Sequence, residues 1–279
     1  MKAMPLSLAV ALLIGWAAPA SGQPDQDDKP VLVVTTLEKI PAHSHRALEQ
    51  PLEELPEGYK LQVTIDRFYD FGHTNSSNRF EPYVAEYVPL NRQGKKDGQE
   101  CFLSQSNRIY RTVPWENGVK NGREQVFNEH PRYLTDEIPW KNGVLEGVLK
   151  TYYEDGSLRS ETPHAGGQPH GVAKSYAKDG KVTRTCTMKE GKRHGKLVDT
   201  WPQTGKTRRI IQYDMGEVAG VVKEYYPDGQ LKRQVPFVDN VMHGEEKVYE
   251  EDGEPAPSRY WIGGDRVSKT EFELSRRGR

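Results

Sequence analysis

Few apolar residues of this chain fall at a helical spacing. They sit instead in short runs, broken by glycine and proline, that recur every 24 or 25 residues. Gly98, Gly122, Gly147, Gly171, Gly195, Gly220 and Gly244 mark the period, and a second glycine stands four residues earlier at Gly94, Gly118, Gly143, Gly167, Gly191 and Gly216. Asn240 takes that place in the next unit, and Gly264 opens a last, truncated unit with Ser268 where the later glycine would fall. About nine residues on comes Asp155-Gly156, Asp179-Gly180, Thr204-Gly205, Asp228-Gly229 or Asp252-Gly253. Asp-Gly supplies positive φ at both central residues of a type I′ hairpin turn. A proline closes the unit in Val88-Pro89-Leu90, Val113-Pro114-Trp115, Ile138-Pro139-Trp140, Val235-Pro236-Phe237 and, more weakly, Thr162-Pro163-His164. Proline cannot donate to a β-ladder, so regular pairing is expected to stop near it. Each unit therefore reads as strand, tight turn, strand and proline-marked link, and about eight such hairpins fill the chain.

The turn glycines predicted from this spacing are Gly98, Gly122, Gly147, Gly156, Gly171, Gly180, Gly195, Gly205, Gly220, Gly229, Gly244 and Gly253. An aromatic row accompanies them: Phe127, Tyr152, Tyr176, Trp201, Tyr225 and Tyr249. A row filled in unit after unit is the expected packing stripe, each ring stacked on the next. Successive strand residues point to opposite faces, so the following row is expected on the solvent side. Its aromatics, Tyr153 and Tyr226, are the candidate ligand contacts. The register around Trp201 is open, because the turn that follows it is one residue longer.

The ends of the chain are different. Residues 1–22 carry one lysine, an uncharged apolar run and a small-residue stretch, the layout of a cleavable secretory signal peptide. Residues 23–57 read as an acidic linker followed by a flanking cap, with a short strand near residues 31–36. Residues 58–93 read as a degenerate repeat with a polar loop insertion, residues 94–268 as the tandem array and residues 269–279 as a basic, solvated tail. The expected localisation is secreted or periplasmic, with no transmembrane segment after signal cleavage.

Composition sharpens this picture. Only 35% of residues are hydrophobic, 28% are charged, and there are 26 glycines and 19 prolines, which suits a thin structure with many turns rather than a thick core. The formal net charge of -1, with both signs interspersed, gives no basic stripe for phosphates and argues against a nucleic-acid partner. Cys101 and Cys186 lie seven strand steps apart in the predicted array, about 34 Å at ~4.8 Å per strand. A disulfide tolerates no more than about 7 Å between Cα atoms, so no bridge is expected.

Candidate chemistry is sparse. His170, His194 and His243 precede the later glycine of their units, but equivalent positions lie two strands apart, about 10 Å, too far for neighbours to share a metal. His43-x-His45 has no supporting ligands nearby. The carboxylates are scattered over turns, where aspartate serves backbone geometry. No nucleophile elbow, zinc-protease helix motif or phosphate-cradling glycine loop is present. The expectation is no enzyme, no cofactor, no metal and no catalytic residue.

Residues 142–156, 189–195 and 222–229 resemble the MORN-repeat variant, a motif shared with proteins named as YwqK-type antitoxins. The resemblance covers about residues 94–264 and implies an all-β protein, an elongated single-layer antiparallel sheet of tandem hairpins that serves binding. An intracellular antitoxin role does not fit an exported chain. The expected function is an exported, non-catalytic module for protein interaction or scaffolding, its partner another protein or an envelope component. The rival readings are a cell-envelope carbohydrate or choline binder and a membrane-surface protein.

Overall fold

The computed structural model describes residues 31–34, 48, 51–52, 54–69 and 80–277. The signal-peptide reading, His43-x-His45 and most of the insertion expected near residues 73–82 lie outside them; residues 80–82 belong to a strand. The described residues form one open antiparallel sheet of 23 strands, each long strand paired with its chain neighbours. It begins with Val31–Val34 on Lys60–Tyr69, which pairs in turn with Phe80–Leu90, and it runs through the array to Asp265–Val267. The all-β hairpin architecture expected from the repeats is what the chain adopts.

Each unit contains two turns, and their chemistry is the reverse of the sequence expectation. The type I′ geometry belongs to the first glycine of each pair from Gly118 onward; Gly94 instead closes a three-residue loop, its N–H donating to the Asn91 carbonyl at 2.9 Å. Asn117 and Gly118 both have positive φ, 50° and 86°, and join Trp115–Glu116 to the two-residue strand Val119–Lys120. At Asp155-Gly156 only the glycine has positive φ. The Gly156 N–H donates to the Tyr153 carbonyl and the Tyr153 N–H to the Ser157 carbonyl, both at 2.9 Å. That is a three-residue loop with a bulge at the following strand, seen as the shift in pairing between Thr151 and Tyr152. Aspartate adopts an ordinary turn conformation here because its carboxylate holds the backbone: Asp155 Oδ1 accepts from the Ser157 N–H at 2.9 Å, and Asp228 Oδ1 from the Gln230 N–H at 2.9 Å. Hydrogen bonds from the Ser157 hydroxyl and N–H hold the Asp155 carboxyl below its usual range. All twelve predicted turn glycines do have positive φ, but only Gly156, Gly180, Gly205, Gly229 and Gly253 stand in turns; the other seven open a strand or, as Gly195, lie within one.

The prolines do not end their strands. Pro114 lies inside Ile109–Glu116, paired with Gln99, and its carbonyl accepts from the Asn121 N–H at 3.1 Å. Its missing N–H faces the gap where the neighbouring chain leaves the two-residue strand and begins Gly122–Glu129. Proline is tolerated where no donor is needed. Its ring fills the space under Gly122, where a Cβ would come within 3.2 Å of Pro114. Pro89, Pro139, Pro163 and Pro236 stand in the same relation to Gly98, Gly147, Gly171 and Gly244.

Two ends of one sheet face carry additional packing. At the N-terminal end Leu48, Leu61, Val63, Val84, Tyr87, Cys101 and Leu103 form the largest buried cluster, with Leu52 and Leu55 against it. At the other end a helix, α1 (Lys269–Arg277), lays Phe272 on Tyr260 with ring centroids 5.2 Å apart. Residues 269–279 were expected to be tail. Ser268, expected at a glycine position, instead caps this helix: Glu271 Oε2 accepts from the Ser268 N–H at 2.8 Å, and the Glu271 N–H donates to Ser268 Oγ at 3.2 Å. The two cysteines are unpaired and belong to separate buried clusters.

Candidate binding surface

Strand alternation sorts the array onto two faces. One carries Trp115, Trp140, His164, Met188, Tyr213, Phe237 and Trp261, each opposite the later glycine of its unit. From Val113 to Val235 every buried apolar residue belongs to this face: Val113, Cys186, Leu197, Ile211, Tyr213, Val222 and Val235. The packing stripe is therefore here, and not in the row through Tyr152 predicted from the sequence.

Sequence reasoning missed a second row on this packed face, two residues past each glycine: Glu100, Glu124, Leu149, Ala173, Leu197, Val222 and Glu246. Glutamate occurs where the opposing ring is tryptophan. The indole N–H groups of Trp115, Trp140 and Trp261 donate to Glu100, Glu124 and Glu246, each at 2.9 Å. These carboxylates are 3%, 2% and 1% exposed, and each is paired with cations. Lys96 meets Glu100. Arg111 and Lys120 meet Glu124 at 2.7 and 3.3 Å, and Arg233 and Arg259 meet Glu246 at 3.3 and 3.6 Å. The Lys120 ammonium also lies 4.4 Å from the Trp140 ring centroid. The legible signal was Gly-x-Glu followed 15 or 16 residues on by a tryptophan. Asp199, 2% exposed, is a further buried acid; hydrogen bonds and charge from Arg184 and Arg209 outweigh its burial and hold its carboxyl below the usual range.

Tyr152, Tyr176, Tyr225 and Tyr249 lie on the opposite face and are half-buried. They are not stacked on one another. The Tyr152 hydroxyl donates to Glu137 Oε2 and the Tyr176 hydroxyl to Glu161 Oε2, both at 2.7 Å. Burial and these carboxylates push both phenols up to about 12. Phe127 has no hydroxyl to place, and Arg132 lies 5.1 Å from its ring centroid. Trp201 leaves this row. Thr200 pairs with Thr207 as Tyr152 pairs with Leu158, so the longer turn shifts Trp201 into register with Tyr153 and Tyr226.

Tyr153, Trp201 and Tyr226 line the rim at the Asp-Gly turns. They are half-buried, not open to solvent as expected. Each spends its polar atom on the next unit's backbone: Tyr153 on the Tyr176 carbonyl at 2.8 Å, Trp201 on the Tyr225 carbonyl at 3.3 Å and Tyr226 on the Tyr249 carbonyl at 2.9 Å. Each also holds a cation of the same chain, Arg159 at 5.9 Å, Arg208 at 5.6 Å and Lys232 at 5.2 Å from the ring centroid. Tyr153 and Tyr226 thus clamp neighbouring units whatever else they touch.

Among the described residues no three His, Cys, Asp or Glu side chains are grouped to hold a metal. His194 meets Asp214 at 3.3 Å, and His243 accepts from the Gly263 N–H at 3.3 Å. A shallow recess of about 440 Å³ lies between the cap and the first turns, lined by Tyr59, Asn91, Arg92, Asp97 and Asn117. Its polar atoms are engaged with one another: Tyr59 donates to Asp97 at 2.8 Å, Asn91 to Asn117 at 3.0 Å and Arg92 to the Glu57 carbonyl at 3.0 Å. No helix among the described residues is long and apolar enough to cross a membrane.

An open sheet of tandem hairpins, with side chains recurring at each unit, defines a repeat module. Residues 145–165, 169–190 and 219–239 match the MORN repeat variant. No curated protein matches the chain. Among solved structures, a porin-like protein from Bacteroides uniformis aligns at 11% identity over 76% of this chain and 89% of its own, with a TM-score of 0.18.

Proposed function

We propose that this protein is an exported, non-catalytic module for protein interaction or scaffolding. The observation that carries the reading is the periodic surface. One continuous sheet holds a row of half-buried tyrosines and a rim where Tyr153, Trp201 and Tyr226 each pair with a cation, so that like side chains recur in several hairpins, as in other repeat arrays that bind over extended surfaces. The N-terminal sequence supports export. Choline binding is disfavoured by the rim itself, because Tyr153, Trp201 and Tyr226 already hold cations of the chain that a quaternary ammonium would have to displace. The test is direct binding of the purified full chain to envelope fractions separated into protein, glycan and lipid. Saturable binding that protease treatment of the fraction abolishes is expected. Binding that survives protease but not glycan digestion would replace the proposal with the carbohydrate reading.

A further inference from the structure

Two repeats are alike around one position on the tyrosine face and differ there in charge. In the earlier repeat Glu161 stands between Lys150 and Lys174 on the neighbouring strands. Its carboxylate accepts from the Tyr176 hydroxyl at 2.7 Å and lies 3.7 Å from Lys150 Nζ. In the later repeat Gln234 stands between Lys223 and Lys247, and Tyr249 follows Lys247 as Tyr176 follows Lys174. The donors are preserved and the carboxylate is replaced by an amide. Among the described residues Lys223, Lys247, Gln234 and Tyr249 have no side-chain hydrogen bond or ion pair with each other or with an acid. Glu245 lies two residues before Lys247 on the same face, and no ion pair joins the two.

We propose that Lys223, Gln234, Lys247 and Tyr249 bind a carboxylate of an acidic peptide, which takes the place that the Glu161 carboxylate holds in the earlier repeat. The chain itself supplies the precedent for the geometry: the Lys150 ammonium and the Tyr176 phenol meet on one carboxylate, with Lys174 in register on the other neighbouring strand. Gln234 adds an amide N–H donor that glutamate lacks. Val221 and Pro236, two residues along their strands from Lys223 and Gln234, pair on the same face, and Val221 is 41% exposed. An apolar contact beside a carboxylate subsite fits an extended peptide, whose side chains on one side recur every second residue. This site rests on the interaction-module reading and names the chemistry of the partner.

The test uses the full chain and a fluorescein-labelled peptide of alternating glutamate and threonine, with a glutamine-threonine peptide as control. Saturable, salt-sensitive binding of the acidic peptide alone is expected. Gln234→Glu fills the site from within, as Glu161 does, and should weaken binding at least tenfold while the protein stays folded. Lys223→Gln and Lys247→Gln should each weaken it several-fold. Glu161→Gln should open a second site and raise the stoichiometry from one peptide to two. Unchanged affinity in Gln234→Glu, or binding to phosphatidylserine vesicles with none to the peptide, would overturn the proposal. Capture of an envelope protein that Gln234→Glu leaves undiminished would overturn this site and leave the module standing. Peptide binding without any envelope protein captured would do the opposite.

Discussion

Two kinds of repeat share one backbone in this protein. In the units of Glu100, Glu124 and Glu246 the packed face holds a buried carboxylate, a tryptophan indole and at least one cation. In the units of Leu149, Ala173, Leu197 and Val222 the same positions hold aliphatic residues, and histidine, methionine, tyrosine and phenylalanine stand opposite the glycines two residues before them. Tryptophan brings a donor that must find an acceptor once buried, and the nearest cross-strand position supplies it. The other rings either lack such a donor or satisfy it elsewhere, as His164 Nδ1 does with the Thr162 carbonyl at 2.8 Å, while the Tyr213 hydroxyl accepts from Arg193 at 3.2 Å. A single layer has little interior, so it stabilises some units by ionic networks and others by plain apolar contact.

The largest expected effect follows from removing the acid. Glu124→Ala leaves Arg111, Lys120 and the Trp140 N–H without their shared acceptor and should cost about 3 kcal/mol in urea unfolding. Glu124→Leu combined with Trp140→Phe gives this unit the aliphatic residue and phenylalanine that pack together in the Val222 unit and should recover most of that loss. Equal losses for the single and double variants would break the distinction between the two unit types.

A smaller difference is expected between a glycine that faces a proline and one that does not. Gly244 faces Pro236, and a Cβ there would lie 2.9 Å from the proline Cγ at a φ of 126°. Gly220 has a φ of 77° and nothing within 4 Å of such a Cβ. Gly220→Ala should cost about 1 kcal/mol from backbone strain alone. Gly244→Ala should cost about twice as much, since overpacking adds to the strain. Thermal unfolding of the two variants side by side checks the ranking.

The smallest effect separates the three acidic units from one another. Beside Glu100 stands Glu86, in the position that Arg111 takes beside Glu124 and Arg233 takes beside Glu246. Burial, followed by the hydrogen bond and charge of Glu100, pushes Glu86 up to about 7. Burial also works upward on Glu100, but hydrogen bonds from protonated Glu86, Lys96 and Trp115 outweigh it and hold its carboxyl below the usual range. A raised folded pKa means that the Glu86 contribution is fully present below the unfolded value near 4.5 and is lost as pH rises through about 7. Stability should therefore fall by on the order of 1 kcal/mol between about pH 5 and pH 8. Glu86→Gln should flatten that slope, and an unchanged slope in the variant would count against it.

Local chemistry was readable in the sequence wherever one residue type had one reason to be present. The period, the hairpin architecture and the positive φ of all twelve turn glycines are of this kind, because only glycine and a few polar residues adopt that backbone cheaply. Which of these glycines stand in turns, and in which kind, was not readable. Asp-Gly suits both a type I′ turn and a bulged three-residue loop, and the choice depends on pairing across the hairpin. The Trp201 register, left open by its longer turn, is settled by the pairing of Thr200 with Thr207, which agrees with counting from Gly195: the ring stands six residues on, where Tyr152 stands five after Gly147.

The candidate surface was partly legible. Tyr153 and Tyr226 were placed correctly in one row by counting, and alternation separated them from Tyr152 and Tyr225. Their tie to the next unit's carbonyls, at 2.8 and 2.9 Å, depends on the lateral stacking of hairpins, which no residue within one unit encodes. The same holds for Gln234, whose meaning comes from lysines 11 residues before it and 13 after it that the sheet brings to either side. The sequence by itself thus determined the repeat, its strands and the backbone hand of its turns, which are set by neighbours along the chain. Which face packs, which acids are buried and where charge is left unpaired were decided only in the tertiary structure, because each depends on side chains meeting across strands.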